Sequence, residues 1–302
     1  MNPAANPEVV VPQTFLDMPR WWTDGSAWLA DLPEAISIQC SRWHLRIDGD
    51  PVHGSNALVV PVMRDAERYV LRMTPPGPDV TAQVQALRFW DGRGTVLLAD
   101  ADEARGAMLL ERLDMDGPLT ALPVAEALPI LGHLMRRLAV DAPADAPSTS
   151  TLVKQTVARL ERLTPDRAID SGGIDSAFLD AALAVAPSLS VAASSDLAVN
   201  GDLHTGQVMR GTREPWLVVD PLLMRGDIDY DLARALWTRI DEMADTEIVV
   251  HFEAVVDAAR LDRDRARDWV VFRTVDYWLW CLDNGLTEDP QRCRRLMAAF
   301  VN

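Results

Sequence analysis

The 302-residue sequence predicts an α+β chain in two parts, a small antiparallel sheet with one inserted helix and then a larger, mainly helical part. Three observations predict it. Short runs such as "ALVVPVMR" (57–64) and "RYVLRM" (68–73), separated by Gly, Asn and Asp clusters, fill the first 113 residues. From residue 122 the apolar period lengthens to that of helices. The second part holds one further β-like stretch, residues 196–233, among its helices.

Taken in order, residues 14–34 carry Trp21, Trp22 and Trp28 at helix-like spacing and are expected to form an amphipathic segment docked on the body. "ISIQCSRWHLRI" (36–47) is expected as the first strand, ahead of the two already quoted. After the turn "TPPGPD", "VTAQVQALRFW" (80–90) puts Val80, Val84, Ala86 and Leu87 on one side of a short helix. "GTVLLADADEARGAMLLERL" (94–113) supplies two more strands. The spacing then predicts helices over 122–140, 150–164, 175–186, 229–243, 245–284 in two pieces, and 288–301. "DAPADAPSTS" reads as a linker within this part, ending at Ser150 or Thr151 as the next N-cap. This succession of elements is that of a protein-kinase-like two-lobed fold, with lobes at 1–113 and 114–302 joined by a short connector near Leu110–Leu113.

Composition narrows the function. The longest apolar stretches are broken well before the roughly 18 residues a membrane span needs, and the N-terminal stretch lacks a basic, apolar, small-residue order, so a cytoplasmic protein without a membrane partner is expected. Cys40, Cys281 and Cys293 are odd in number and widely spaced, which suggests neither a disulfide framework nor a zinc site. A net charge of -16 argues against nucleic acid and is compatible with a cationic small molecule, although charge speaks first to solubility. Of 29 basic residues only Lys154 is a lysine, so any function that needs one has a single candidate.

The β-like stretch carries the chemistry. "VNGDLHTGQVMR" and "WLVVD" read as a hairpin with Asp202 just before its first strand and Asp220 just after its second, so antiparallel pairing brings both carboxylates to one end. Phosphoryl transfer needs such a pair, one to orient the attacking hydroxyl and one to hold the Mg²⁺ that neutralises the phosphate oxygens. A further oxygen ligand for the metal is expected five residues after the first Asp, where Gln207 stands.

The blocks "GDLHTGQVMRGTREPWLVVDP", "GDIDYDLARALW", "ALRFWDGRG" and "LLERL", in their order, resemble the aminoglycoside and hydroxyurea antibiotic-resistance kinases, a branch of the aminoglycoside phosphotransferases that includes streptomycin 6-kinases. The resemblance runs from about residue 35 to the C-terminus. It implies a phosphotransferase that uses ATP and Mg²⁺ on a hydroxyl of a small-molecule acceptor. Asp202 would be the catalytic base, Asp220 the principal Mg²⁺ ligand, and His204 a residue that shapes the loop. Glu111, in "LLERL", would lie at the hinge whose backbone meets adenine. Gly54, in "HGSNALVV", sits where a phosphate-covering turn belongs, its missing side chain letting N–H groups approach phosphate. Asp227 would brace the catalytic loop, although Asp227, Asp229 and Asp231 together also read as helix-capping residues. Asp276 would meet a cationic acceptor, while Trp278 and Trp280 read as core.

Four positions depart from the family's pattern. Gln207 stands for Asn, Arg72 for the strand Lys that contacts the α- and β-phosphates, Gln83 for the Glu paired with that Lys, and Asn200 for a common His. Arg72 keeps the charge but not the compact ammonium, and Gln83 can still accept its hydrogen bond without an ion pair. The alternative reading is a catalytically impaired pseudokinase, or a kinase-fold protein repurposed to bind a ligand. Acceptor identity and oligomeric state are not written in the sequence.

Overall fold

The computed structural model describes residues 9–18, 25–162, 174–191 and 196–301. The chain divides into two compact units, Met1–Leu113 and Asp114–Asn302.

In the first unit, α1 (Gln13–Leu16) and α2 (Gly25–Arg42) precede β1 (Arg46–Ile47), β2 (Val52–His53), β3 (Leu58–Arg64) and β4 (Glu67–Met73). Then come α3 (Pro78–Trp90), β5 (Leu98–Asp102) and β6 (Ala107–Glu111). The strands form one sheet in the order β1-β3-β4-β6-β5, with β2 also on β3, and every pairing is antiparallel. Pro78 opens α3, Asp91 in the left-handed region closes it, and its buried face carries Val80, Val84 and Leu87 together with Gln83.

The strand expected at 36–47 is not one. Residues up to Arg42 belong to α2, and only Arg46–Ile47 pair as strand. The alternation Ile36, Ile38, Cys40 imitates a strand face, but Leu32, Ile36 and Cys40 are buried while Ile38 is 39% exposed. Burial at i, i+4 and i+8 is one stripe of a helix. That stripe packs with Leu58, Val60, Val62, Leu71 and Met73 in the unit's core, and Trp28 is partly buried against it. Trp21 and Trp22 lie outside the described residues.

The second unit contains β7 (Asp114–Pro118), α4 (Val124–Leu138), α5 (Thr149–Leu160) and α6 (Ser176–Leu189), then four short strands, β8 (Leu197–Val199), β9 (Val208–Arg210), β10 (Trp216–Val218) and β11 (Met224–Gly226). It ends with α7 (Leu232–Trp237), α8 (Ile248–Ala259), α9 (Arg263–Asp283) and α10 (Asp289–Phe300). The strands make two small sheets, β10-β9-β7 and β11-β8. Three details differ from expectation, the first being β7, a strand outside the one β-like stretch read from the sequence. The N-cap position of α5 is Ser148 rather than Ser150 or Thr151. The helix expected over 229–243 is α7 between two 3₁₀ turns, Ile228–Asp231 and Ile240–Glu242. Among the described residues no helix is long and apolar enough to cross a membrane.

The register of α2 makes a direct prediction. Ile36→Ala empties a fully buried site and should cost about 3 kcal/mol in urea unfolding, whereas Ile38→Ala should stay within about 0.5 kcal/mol. Equal losses at the two positions would mean that they share a face, as in a strand.

Candidate active site

Residues 200–207 connect β8 to β9, and Asp220 follows β10. In the β9/β10 hairpin Val208 lies opposite Val218. The ladder continues one bond further, with the Val219 N–H donating to the Gln207 carbonyl at 2.9 Å. The loop carrying Asp202 and the segment carrying Asp220 therefore leave the hairpin at the same end. Their carboxylates are close enough for the Asp220 charge to help raise the pKa of Asp202.

The loop's backbone is held from beneath. Gly201 sits at φ +82°, and a Cβ there would lie 2.7 Å from Met224 Sδ, so glycine is required by both conformation and space. On either side of Asp202, the Gly201 and Leu203 N–H groups donate to the two oxygens of Asp231 at 3.2 and 3.4 Å. Asp231 is 2% exposed, and burial pushes its pKa up to about 7. Asn200 adds a second tie, its Oδ1 accepting from the Asp202 N–H at 3.4 Å and the Leu222 N–H at 3.2 Å. The residue that departs from the family's histidine thus links the loop to the segment just beyond Asp220.

The expected brace, Asp227, points elsewhere. Its carboxylate takes Arg265 at 2.5 Å and the Trp269 indole N–H at 2.9 Å. The reason is the 3₁₀ turn after β11, which brings residue 231 rather than residue 227 under the loop.

Around Asp202, Arg234 Nε lies 2.7 Å from Oδ1 and Gln207 Nε2 donates to Oδ2 at 2.9 Å. Burial is the main influence raising the Asp202 pKa, Arg234 opposes it and Asp220 adds to it. Gln207 is 8% exposed, and with its amide nitrogen spent on Asp202 its Oε1 is buried with no hydrogen-bond partner among the described residues. A hard divalent cation takes one or two protein oxygens and completes its shell with phosphate and water. The Gln207 Oε1 and the Asp220 carboxylate fit that donor set. His204 Nδ1 accepts from the Gly206 N–H at 3.2 Å, and burial pushes its pKa down to about 3. It is a neutral turn-former at physiological pH.

The candidates of the first unit fare unequally. Arg72 of β4 donates to Gln83 Oε1 of α3, and both side chains are buried, which keeps the guanidinium fixed on the sheet. Gly54 lies in the tight turn between β2 and β3. Its N–H closes the β2/β3 turn on the Ala57 carbonyl at 3.0 Å, and a Cβ there would meet nothing within 4 Å. The Glu111 N–H is likewise spent on the Leu97 carbonyl at 2.9 Å, while its Oε2 accepts from the Leu97 N–H. In the second unit, Asp276 accepts from Thr156 at 2.7 Å and from Arg273 at 2.6 Å, so both its oxygens are engaged. Trp278 is core, at 1% exposure, but Trp280 is 43% exposed and stacks on Tyr277.

Beside the loop the second unit has a cavity of about 360 Å³, with His204, Arg234, Trp237, Arg239, Tyr277 and Arg292 in its walls. Sequence reasoning missed Asp231 and Arg234 as site residues, and marked Asn200 only as a departure from the family's pattern. The only available signal for Asp231 and Arg234 was their place in the block "GDIDYDLARALW", which also contains Asp227.

A family model described as Aminoglycoside/hydroxyurea antibiotic resistance kinase matches residues 42–285. The chain is 36% identical to a streptomycin 6-kinase of Streptomyces griseus over 274 residues, 87% of each chain. It is 34% identical to a hydroxyurea phosphotransferase of Kitasatospora aureofaciens, over 89% of this chain and 78% of the relative. In fold it is similar to the crystal structure of aminoglycoside phosphotransferase APH(4)-Ia, with a TM-score of 0.62 at 14% identity over 89% of this chain and 99% of the other. The protein-kinase-like fold read from the order of elements is thus the fold of the chain, and the chain belongs to the aminoglycoside/hydroxyurea antibiotic resistance kinase family.

Proposed function

We propose that the chain is an ATP- and Mg²⁺-dependent phosphotransferase that phosphorylates a hydroxyl group of a small molecule of the antibiotic or natural-product kind. The observation that carries this reading is the pair of carboxylates, Asp202 and Asp220, leaving one end of the β9/β10 hairpin with Gln207 between them in the chain. The relatives named for streptomycin and hydroxyurea support it.

In this reading Asp202 orients the acceptor hydroxyl and takes its proton. Its burial raises its basicity, while Arg234 holds it ionised. Asp220 and Gln207 Oε1 would hold a magnesium ion, which when bound neutralises phosphate oxygens. Arg72, fixed by Gln83, supplies the positive charge for the α- and β-phosphates. With the Glu111 N–H already bonded, an adenine edge at this connector would be met beyond it, at Arg112 and Leu113. One observation favours the second reading, a nucleotide-binding protein without transfer: Arg234 and Gln207 occupy both oxygens of Asp202.

Transfer of ³²P from γ-labelled ATP to an alcohol and aminoglycoside panel separates the two. The enzyme reading expects Asp202→Asn to lower kcat by about 10²–10⁴-fold with ATP binding retained, and Asp220→Ala to remove the Mg²⁺-dependent thermal stabilisation by ATP. Transfer untouched by Asp202→Asn would refute the assignment.

The pH dependence follows from two opposite shifts. Asp202 must be ionised, so activity should rise with pH through a limb lying above the usual 3.8 of a carboxylate. His204→Asn should leave that limb in place, because His204 is already neutral there. For stability the sign is also set. The folded pKa of His204 lies below its unfolded 6.5, so its contribution is present above pH 6.5 and is lost as pH falls toward 3. His204→Asn should flatten acid unfolding over that window, which pH-resolved denaturant titrations would read.

A further inference from the structure

Three buried thiols take no part in the chemistry described above, and two of them touch. Cys281 and Cys293 look unrelated in the sequence, yet α9 and α10 bring them together at full burial, 0% exposed each, and their thiols hydrogen-bond one another. Cys281 stands two residues before the end of α9, and Cys293 is the fifth residue of α10. The connection between them turns back at Gly285, at φ +69°, with the Leu286 N–H donating to the Cys281 carbonyl at 2.9 Å. Cys40 belongs to the core of the first unit and has no such neighbour sulfur.

The pair sits behind the cavity beside the catalytic loop. Residues four apart on a helix share a face, and Tyr277 precedes Cys281 by four, as Asp289 precedes Cys293. Tyr277 and Asp289 both line that cavity, so each thiol lies one helical turn from a wall residue. Tyr277 also hydrogen-bonds Cys281, and its ring is stacked between Trp237 and Trp280, with centroids 4.3 and 5.7 Å away. The hydrogen bonds from Cys293 and Tyr277 hold the Cys281 thiol below the ordinary range against the effect of burial, while the Cys281 bond and burial push Cys293 up. One sulfur is thus prepared to attack and the other to keep its proton. Residues 283–285 and 287–288, in the turn that joins the two helices, are exposed, so a small reagent has only that turn to open.

We propose that Cys281 and Cys293 form a redox modification site, a dithiol that hydroperoxides convert into an intrachain disulfide, and that the new bond resets the cavity wall. In the first step the Cys281 thiolate attacks the peroxide. An S–O bond forms, the O–O bond breaks, and an alcohol or water leaves with the Cys281 proton. The Cys293 thiol then attacks that sulfur. The S–S bond forms, the S–O bond breaks, and hydroxide leaves as water with the Cys293 proton. The two thiols together lose two electrons, and these reduce the peroxide. A covalent S–S bond is shorter than any hydrogen-bonded contact between thiols, so α9 and α10 must draw together at this point. Tyr277, Asp289 and Arg292 ride on those helices, and the wall they build moves with them. None of this depends on the phosphotransferase reading.

The test treats the full wild-type chain with millimolar hydrogen peroxide, alkylates the remaining thiols, and reads the intact mass and a peptide map. The expected result is loss of two of the three thiols, a cross-link between Cys281 and Cys293 and an unmodified Cys40, all reversed by dithiothreitol. The cross-linked chain should melt about 5 °C higher, because a short loop is closed in the unfolded state. Cys293→Ser should stop the reaction at a Cys281 sulfenic acid that dimedone traps, whereas Cys281→Ser should leave Cys293 unreacted and Cys40→Ser should leave the cross-link as it is. In nuclear magnetic resonance spectra the indole N–H signals of Trp237 and Trp280, the two rings on Tyr277, should shift on oxidation and return on reduction. Both thiols still open to alkylation after peroxide, Cys40 oxidised as fast as the pair, sulfinic acid in place of the cross-link, or a bond between two chains would overturn the proposal. Indole signals that stay in place while the cross-link forms would overturn its second half, the coupling to the cavity wall.

Discussion

The site depends on one buried carboxylate that does no chemistry. Asp231 lies almost wholly inside the second unit and receives the N–H groups of Gly201 and Leu203, the two residues that flank Asp202. Burying a carboxylate is costly, and the rise of its pKa to about 7 records that cost. Two backbone hydrogen bonds offset part of it. In exchange the backbone on both sides of Asp202 is tied to a rigid point, and Gly201 accommodates the positive φ that the tie requires. Asn200 extends the same logic by joining the loop to the segment after Asp220, so both carboxylates are referred to one network.

With the backbone held, the electrostatics around Asp202 become a balance of three named influences. Burial and Asp220 make it a stronger base, and Arg234 keeps it charged. Gln207 stands between the two carboxylates in the chain and contacts one of them. One end of its amide donates to Asp202, and the other is an oxygen with no hydrogen-bond partner among the described residues. The Gln that stands at the family's Asn position thus reaches Asp202 with its nitrogen and keeps its oxygen unbonded among the described residues.

Much of this was legible in the sequence, for local reasons. β3 and β4 declare themselves through β-branched and apolar runs, and α3 through the spacing of Val80, Val84 and Leu87. Asp202 and Asp220 could be paired because a hairpin with short strands leaves little freedom in where its ends lie. The illegible parts are those decided by packing. Ile36, Ile38 and Cys40 alternate as in a strand, and only the exposure of Ile38 reveals the helix. Asp227, Asp229 and Asp231 are chemically alike, and the 3₁₀ turn alone decides which one meets the loop. That the Gly54 N–H closes the β2/β3 turn could not be read from composition. Arg234 could not be connected to Asp202 without the fold, since 32 residues of chain separate them.

The claim that Asp231 holds the loop is most directly tested by amide hydrogen exchange at Gly201 and Leu203, compared between the wild-type chain and Asp231→Ala. The account predicts that both amides are protected in the wild type and exchange much faster in the variant, while amides in α9 keep their protection. Unchanged exchange at the two loop amides, with α9 intact, would contradict it.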